Sequence, residues 1–214
     1  MYKMLLHMPR TRPLLRVLFL LVAAVGLSSC YLPVRFDAEI ELSRRGYYEF
    51  FFDGYMAKVP LYEGLRKKEI SPEEEKEQAR NIETDFKRDT STKKYKYYKK
   101  GHFYVNWQRK GDLIKTKSVT FVRRNEQILS MNYNSETGRV SIAGRSINRD
   151  TKRQLSEMGL NMTGAIRFIT DTNVVRHNAT SVKKLKKRGS RWRMYTWEIK
   201  SIFDRTPSLI TTLR

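Results

Sequence analysis

Hydrophobic and acidic residues alternate from position 36 to 42, where every second residue is apolar. This is the period of a strand with one buried face. A turn at 43–46 leads into an aromatic-rich segment, 47–59, composed largely of residues that favour strands. The two segments predict a β-hairpin, the strongest in the chain.

Three later segments have the spacing of helices. A short helix is predicted at 60–70, where leucines lie one turn apart. The next, 71–88, opens with Ser71 and Pro72 followed by acidic residues, a combination that caps a helix and complements its dipole. A third helix is predicted at 150–158, where the glycine that follows ends it.

The rest of the chain consists of short β-rich segments separated by turns. Strands are predicted at 95–99, 102–110, 118–124, 127–133, 139–143, 165–170, 174–179 and 191–200. Closely spaced strands with few helices between them are typical of α+β domains. We therefore expect a single α+β domain, 36–214, with an antiparallel sheet of about seven to nine strands and two or three helices packed on it.

The first 29 residues have the organisation of a secretory signal peptide. Basic residues without any acidic residue precede an uncharged run at 17–27. That run is shorter than the roughly 20 apolar residues that a spanning helix needs. It ends in Leu27-Ser28-Ser29-Cys30, which resembles the lipobox of bacterial lipoproteins.

Cys30 is the only cysteine of the chain, and it stands where the lipobox requires one. The resemblance implies that its thiol receives a diacylglyceryl group, that residues 1–29 are removed, and that 30–35 form a short lipidated tether. The alternative is an ordinary signal peptide with a chance cysteine.

A single cysteine also excludes a disulfide framework and a cysteine-clustered metal site within the chain. We predict neither a cofactor nor a metal.

The charge of the chain points to an anionic partner, because 43 Lys+Arg against 22 Asp+Glu give a formal net charge of +21. Near anionic headgroups each basic residue contributes up to about 1 kcal/mol of attraction. Together with a lipid anchor, the densest basic run is predicted to hold the domain on a membrane. The alternative is a solvated hairpin loop. The candidate anion-binding residues of the run are Lys183, Lys184, Lys186, Lys187, Arg188 and Arg191.

Catalytic motifs of the common enzyme classes are absent, and we predict that the protein is not an enzyme. His177, with Asp171 to orient it, is a candidate for general-base chemistry; the alternative is a structural histidine at a strand end.

The basic and aromatic segment 93–107 has the composition of single-strand nucleic-acid binders, but an exported protein meets little nucleic acid. Its rings are predicted to form core and cross-strand pairs, or to line an apolar cleft between helix and sheet.

Several short motifs occur together in the chain. They are Leu27–Cys30, Phe36–Ile40, Gly46–Tyr48, Ile169–Asp171, Val174, His177–Ala179 and Tyr195–Trp197. Taken together they resemble the LppM-type lipoproteins, a bacterial domain family. The resemblance implies an envelope-located α+β domain, with lipid or glycolipid binding proposed for the family and without catalytic residues. Members commonly have a C-terminal transmembrane helix, whereas 201–214 contains charged residues and a proline, so Cys30 is expected to be the sole anchor.

Two functions follow as expectations. The first is a bacterial envelope lipoprotein, held by Cys30 in the cell membrane or outer membrane and facing the periplasm or exterior. Its domain would bind an anionic lipid, a glycolipid or another envelope component without catalysis. Tyr31, rather than an aspartate, follows Cys30 and favours the outer membrane where a cell has two membranes. The second is a structural or assembly subunit that docks on an acidic envelope protein. Neither function involves nucleic acid.

Overall fold

The computed structural model describes residues 31–122 and 127–213, which form twelve strands and four helices. The strands are β1 (Tyr31–Leu42), β2 (Tyr47–Lys58), β3 (Thr92–Lys99), β4 (His102–Asp112), β5 (Ser118–Phe121), β6 (Leu129–Asn134), β7 (Arg139–Gly144), β8 (Thr163–Thr170), β9 (Asn173–His177), β10 (Ser181–Lys184), β11 (Arg193–Ile199) and β12 (Ser208–Thr212). The helices are α1 (Val59–Arg66), α2 (Pro72–Lys87), α3 (Leu113–Thr116) and α4 (Arg149–Glu157), and a single 3-10 turn covers Lys186–Arg188.

These strands build two sheets. The large sheet has seven strands in the order β10-β11-β8-β1-β2-β4-β3, and the small sheet has five in the order β5-β6-β7-β12-β9. Strand β1 therefore lies in the middle of the large sheet, with three strands on each side. It pairs antiparallel with β2 and parallel with β8, and the other pairings among the described strands are antiparallel.

An aromatic cluster joins the two sheets. Phe52 of β2 stacks on Phe121 of β5 with ring centroids 4.1 Å apart. Trp107 of β4 lies 5.2 Å from Phe50 and 5.3 Å from Phe121. Each of these four side chains is at most 1% exposed. Aromatic rings bury large apolar areas and dominate the energetics of a core, so this cluster is the main contact that holds one sheet on the other.

Helix α2 packs beside the small sheet on the same inner face of the large sheet. Its N-terminus is a capping box, in which Ser71 Oγ accepts from the Glu74 backbone N–H and the Glu74 carboxylate accepts from the Ser71 N–H. Further along, the ring of Phe86 lies 5.6 Å from Tyr95 and 5.3 Å from Phe103. The cap fixes where the helix begins, and the apolar stripe fixes which side of it faces the sheet.

Two glycines allow the central strands to approach Phe36. Gly54 of β2 and Gly164 of β8 are the residues directly opposite Phe36 on its two sides. A Cβ atom at Gly164 would lie 2.1 Å from the Phe36 carbonyl oxygen, and one at Gly54 would lie 2.5 Å from the Phe36 Cβ. Both distances are far below van der Waals contact, so only glycine fits at either position.

A second, smaller apolar cluster covers part of the outer face of the large sheet. Strand alternation places Leu32 and Ala57 on this face, where they are at most 1% exposed. They pack with Leu155 of α4 and with Val59 at the start of α1. The outer face is therefore covered at the end of the sheet where β1 begins.

The structure confirms the α+β class and the three predicted helices, which are α1, α2 and α4 with slightly shifted ends. The predicted antiparallel sheet of about seven to nine strands is confirmed in part: the large sheet has seven strands, but one of its pairs is parallel and five further strands form a second sheet. Alternation along a strand shows that one face is buried, but it does not identify the neighbouring strand.

Strand β1 is longer than its alternating pattern predicts. It begins at Tyr31, so residues 31–35, predicted as part of the tether, belong to the large sheet. Pro33 and a register shift between Pro33 and Arg35 interrupt the alternation. The ring of Tyr31 is nevertheless buried against Phe103, with centroids 5.5 Å apart. Contacts between distant segments, which the local pattern does not contain, extend the strand.

Candidate functional site

The chain enters the domain at one end of the large sheet. Tyr31, the first residue of β1, is only 8% exposed, and Lys58 at the end of β2 lies opposite it. We call this end the N-terminal end. Cys30, the predicted lipidation site, and the predicted signal peptide, 1–29, lie outside the described residues.

The predicted basic run lies at the opposite end of the same sheet. Lys184 of β10 pairs with Arg193 of β11, and Arg193 pairs with Thr170 of β8. Thr170 in turn lies beside Leu42, the last residue of β1. The whole length of β1 therefore separates the basic run from Tyr31.

All six predicted anion-binding residues are exposed. Arg188 makes an ion pair with Glu41, with 2.6 Å between nitrogen and oxygen, and its guanidinium carbon lies 5.3 Å from the ring centre of Trp192. The ion pair holds the connection 185–192 against the end of β1, and the contact with Trp192 lies within the connection. The other five residues form no ion pair with any described residue, so their charges are free to meet a partner.

Two further connections bring basic residues to the same end, and sequence reasoning missed them. The Leu113 N–H donates to the Gly46 carbonyl at 2.8 Å, which joins two connections that are distant in the chain. Arg44 Nε lies 3.4 Å from a carboxylate oxygen of Asp171 in the β8–β9 turn. We call the connections 43–46, 113–117 and 185–192, with the last residues of β10, the basic end. Its charged residues are Arg44, Arg45, Lys115, Lys117, Lys183, Lys184, Lys186, Lys187, Arg188 and Arg191.

Two large apolar side chains project from the basic end. Tyr47 is 61% exposed and Ile114 is 40% exposed. Ile114 lies against Gly46, the residue before Tyr47, because a Cβ atom at Gly46 would lie 2.7 Å from Ile114. An aromatic and an aliphatic side chain among cations make a surface suited to the boundary between headgroups and acyl chains of a lipid layer.

The outer face of the large sheet, turned away from the small sheet, has a different charge. Arg167 of β8 bridges Asp37 at 3.1 Å and Glu39 at 3.2 Å. A hydrogen bond from Lys110 holds the pKa of the Glu49 carboxyl below its ordinary value, so this group stays ionised. Strands β8, β1, β2 and β4 place five carboxylates on this face against three cations. The carboxylates are those of Asp37, Glu39, Glu41, Glu49 and Asp53, and the cations are Arg35, Arg167 and Lys110. The other strands of the sheet add Lys94, Lys96, Lys183 and Glu198 to the same face.

An apolar cleft opens at the N-terminal end, away from the basic run. Phe36, Ile166 and Ile199 line it, together with the loop 200–207. It therefore lies between the sheets and this loop, whereas the sequence analysis placed a cleft between a helix and a sheet. The cleft encloses about 580 Å³ out to its open mouth, but its free interior is only about 40 Å³. That interior has room for only a few water molecules.

The side chains of His177 and Asp171 are not hydrogen-bonded to each other. Asp171 accepts a hydrogen bond from the Arg44 backbone N–H at 2.8 Å. His177 Nδ1 accepts from the Ala179 N–H at 3.2 Å, and its ring packs edge-on against Tyr195 at 4.9 Å. The two residues therefore have separate structural partners, and the arrangement of a base with an orienting carboxylate is not formed.

The aromatic residues of 93–107 form the core and cross-strand contacts that their pattern predicts. Phe103 and Trp107 are at most 1% exposed and face the core. On the outer face, the ring of Tyr55 on β2 lies 5.6 Å from Tyr104 on the neighbouring strand β4 and 5.7 Å from Tyr98 on β3, one strand further away. These rings are divided between the two faces of the sheet, so they do not form one continuous stacking surface.

Within 31–122 and 127–213, no three His, Cys, Asp or Glu side chains are grouped in a way that could hold a metal ion. Nor does this part of the chain contain a helix that is long and apolar enough to cross a membrane.

Fold and charge together define an α+β domain of two sheets with a cluster of exposed cations at its basic end. No protein-family model matches the sequence, and no curated protein matches it. Among solved structures, the chain is similar to the folded domain of the Mycobacterium tuberculosis LppM protein, determined by NMR. The TM-score is 0.42 at 10% sequence identity, and the similarity covers 83% of this chain and 88% of that one.

Proposed function

We propose that the protein is a bacterial envelope lipoprotein, anchored through Cys30, whose basic end binds anionic lipid headgroups without catalysing a reaction. The observation that carries this proposal is the concentration of exposed, unpaired cations at one end of the large sheet. Lys183, Lys184, Lys186, Lys187 and Arg191 have no acidic partner among the described residues, so binding them to an anionic surface breaks no ion pair of the domain.

The energetics favour a surface rather than a single small anion. Each basic residue near anionic headgroups contributes up to about 1 kcal/mol, and these contributions add along a flat lipid surface. Tyr47 and Ile114 are exposed at the same place and supply apolar contact at the headgroup boundary. Five unpaired cations and two apolar side chains therefore support binding to a bilayer.

Lipidation is tested directly at the lone cysteine. Growth of cells with an alkyne-labelled fatty acid is expected to label the wild-type chain, and Cys30→Ala is expected to remove all of the label, because the chain has a single cysteine. The measurement is in-gel fluorescence after coupling a dye to the alkyne. Equal labelling of the two proteins would contradict the anchor.

Lipid binding is tested with residues 31–214, which contain both sheets and the whole described core. We expect these residues to sediment with phosphatidylcholine vesicles that contain about 30% phosphatidylglycerol, and to be released as salt shortens the screening length. Lys183→Glu with Lys186→Glu removes two attractive charges and adds two repulsive ones. The affinity is therefore expected to fall at least about tenfold.

The matched control places the same change of charge away from the basic end. Lys76 and Arg80 are exposed on α2 and form no ion pair with a described residue. Lys76→Glu with Arg80→Glu is expected to leave most of the vesicle binding intact. Binding that is indifferent to phosphatidylglycerol, or that falls equally in both double variants, would contradict a lipid site at the basic end. Co-purification of a stoichiometric acidic protein without lipid would favour the assembly-subunit alternative.

A further inference from the structure

The predicted lipid anchor and the basic end lie at opposite ends of the same strand. Tyr31 opens β1 and Leu42 closes it. At about 3.3 Å per residue, these two residues are about 36 Å apart. At physiological salt the Debye length is about 8 Å. A domain that stands on its N-terminal end thus holds the basic end beyond the electrostatic reach of the bilayer that anchors it.

The position of β1 in the sheet opposes tipping the domain onto either edge. Cys30 is bonded to Tyr31, and its Cα therefore lies about 3.8 Å from that of a residue fixed in the sheet. Strand β1 has three strands on each side. Resting on the β10 edge or the β3 edge would raise the lipidated cysteine by about three strand spacings, or about 14 Å. The acyl chains would then be drawn out of the bilayer.

The two faces of the large sheet are no better suited to lie on the anchoring bilayer. The small sheet and α2 cover the inner face, which adds a layer of about 10 Å between the bilayer and β1. On the outer face, α1 and α4 project at the N-terminal end through the cluster around Leu32 and Leu155. The central strands β8, β1, β2 and β4 present five carboxylates against three cations on this face. The exposed lysines of the edge strands, Lys94, Lys96 and Lys183, therefore flank a net acidic surface that opposes the attraction of this face to anionic lipid.

The N-terminal end itself is suited to the anchoring bilayer. Phe203, in the loop beside the apolar cleft, is 51% exposed. Lys99 at the end of β3, Lys100 in the β3–β4 turn and Lys200 after β11 are exposed at the same end. An exposed ring near Lys200, with further lysines across the same end, suits a headgroup boundary as Tyr47 and Ile114 do at the other end.

We propose that the domain stands upright on the membrane that holds Cys30, and that its basic end contacts a second anionic lipid layer, so that the protein links two lipid surfaces. This inference rests on the proposed function, because it assumes both the anchor at Cys30 and the affinity of the basic end for lipid. It adds the orientation of the domain and the location of the lipid that the basic end binds.

Orientation is measured with a dye at each end of the domain. Acylation of Cys30 leaves the lipidated chain without another cysteine, so Ser190→Cys at the tip of 185–192 and Lys99→Cys at the N-terminal end each give one labelling position. The lipidated protein is placed in a planar supported bilayer that contains about 30% phosphatidylglycerol and an energy acceptor in the headgroup layer, so that no second lipid layer is within reach of the basic end. We expect strong quenching at position 99 and little at 190, which lies more than about 30 Å above the bilayer. Equal quenching at the two positions would overturn the upright orientation.

Bridging is measured by capture of a second vesicle population. Lipidated protein in sucrose-loaded phosphatidylcholine vesicles is mixed with dye-labelled acceptor vesicles, and the pellet is assayed for dye. We expect acceptor vesicles with about 30% phosphatidylglycerol to be captured at least about tenfold more than neutral ones. Lys183→Glu with Lys186→Glu is expected to abolish the difference, whereas Lys76→Glu with Arg80→Glu retains it.

The possible failures of the inference and of the proposed function give different results. If residues 31–214 bind anionic vesicles but the lipidated protein captures none, the link between two layers is wrong and the proposed function stands. If residues 31–214 do not bind anionic vesicles, the proposed function itself is wrong. Equal capture of neutral and anionic acceptors would indicate contact between protein chains and would overturn the inference.

Discussion

Replacing Phe52 by alanine is expected to lower the free energy of unfolding by about 3–5 kcal/mol, the usual cost of removing a large ring from a core. Phe52 is 1% exposed and stacks between Phe121 at 4.1 Å and Phe36 at 5.6 Å. The change opens a cavity at the junction of the two sheets, which neither sheet can close by moving alone. Urea unfolding of residues 31–214, followed by tryptophan fluorescence, measures the loss.

The neighbouring residue is the control for this change. Phe51 lies on the outer face and is only half-buried, so Phe51→Ala removes a ring of the same size without opening an internal cavity. We expect it to cost about 1 kcal/mol, for the smaller apolar area that returns to water. Similar losses at the two positions would mean that the aromatic cluster does not hold the sheets together.

Gly164→Ala is expected to destabilise the domain by about 3 kcal/mol or more, at or above the upper end of typical overpacking costs. The added Cβ would lie 2.1 Å from the Phe36 carbonyl oxygen, and the clash is with backbone rather than with a mobile side chain. Relief requires β1 and β8 to separate where they pair. The expected result is a lower urea midpoint together with faster amide exchange in both strands.

Gly144→Ala provides the comparison for Gly164→Ala. Its added Cβ would meet the edge of the Pro207 ring at 3.1 Å, in a loop that can shift by a few tenths of an ångström. We expect this variant to lose less than about 1 kcal/mol. If Gly164→Ala lost as little stability as Gly144→Ala, the distance between β1 and β8 would have to be larger than in the structure.

Local features of the fold could be predicted because their causes are local. The alternation at 36–42 shows which face of β1 is buried. The pair Ser71 and Pro72 marks where α2 begins. Strand β10 could not be predicted, since Val182 is its only apolar residue. Its four residues form a strand because β11 supplies their hydrogen-bond partners. The same holds for β12, which lies between β7 and β9 and was not predicted.

The candidate site was predictable only in part, for the same reason. The run Lys183–Arg188 is contiguous, so its charge is visible in the sequence. Arg44 and Lys115 are separated from it by long stretches of chain, and the order of strands in the large sheet brings them to the same end. The position of Tyr31 at the end of the sheet opposite the basic run also depends on that topology. It could not be predicted from the alternation along β1.

The parallel pairing of β1 with β8 sets an order of events for a chain that is synthesised from its N-terminus. Leu42 and Thr170 are joined by a hydrogen bond across 128 positions of sequence. The β1–β2 hairpin can close early because its contacts are local, whereas the other edge of β1 must wait for the C-terminal half of the chain to arrive. During that interval Asp37, Glu39 and Glu41 lie along the open strand, where their charge opposes pairing with the strand of another unfinished molecule.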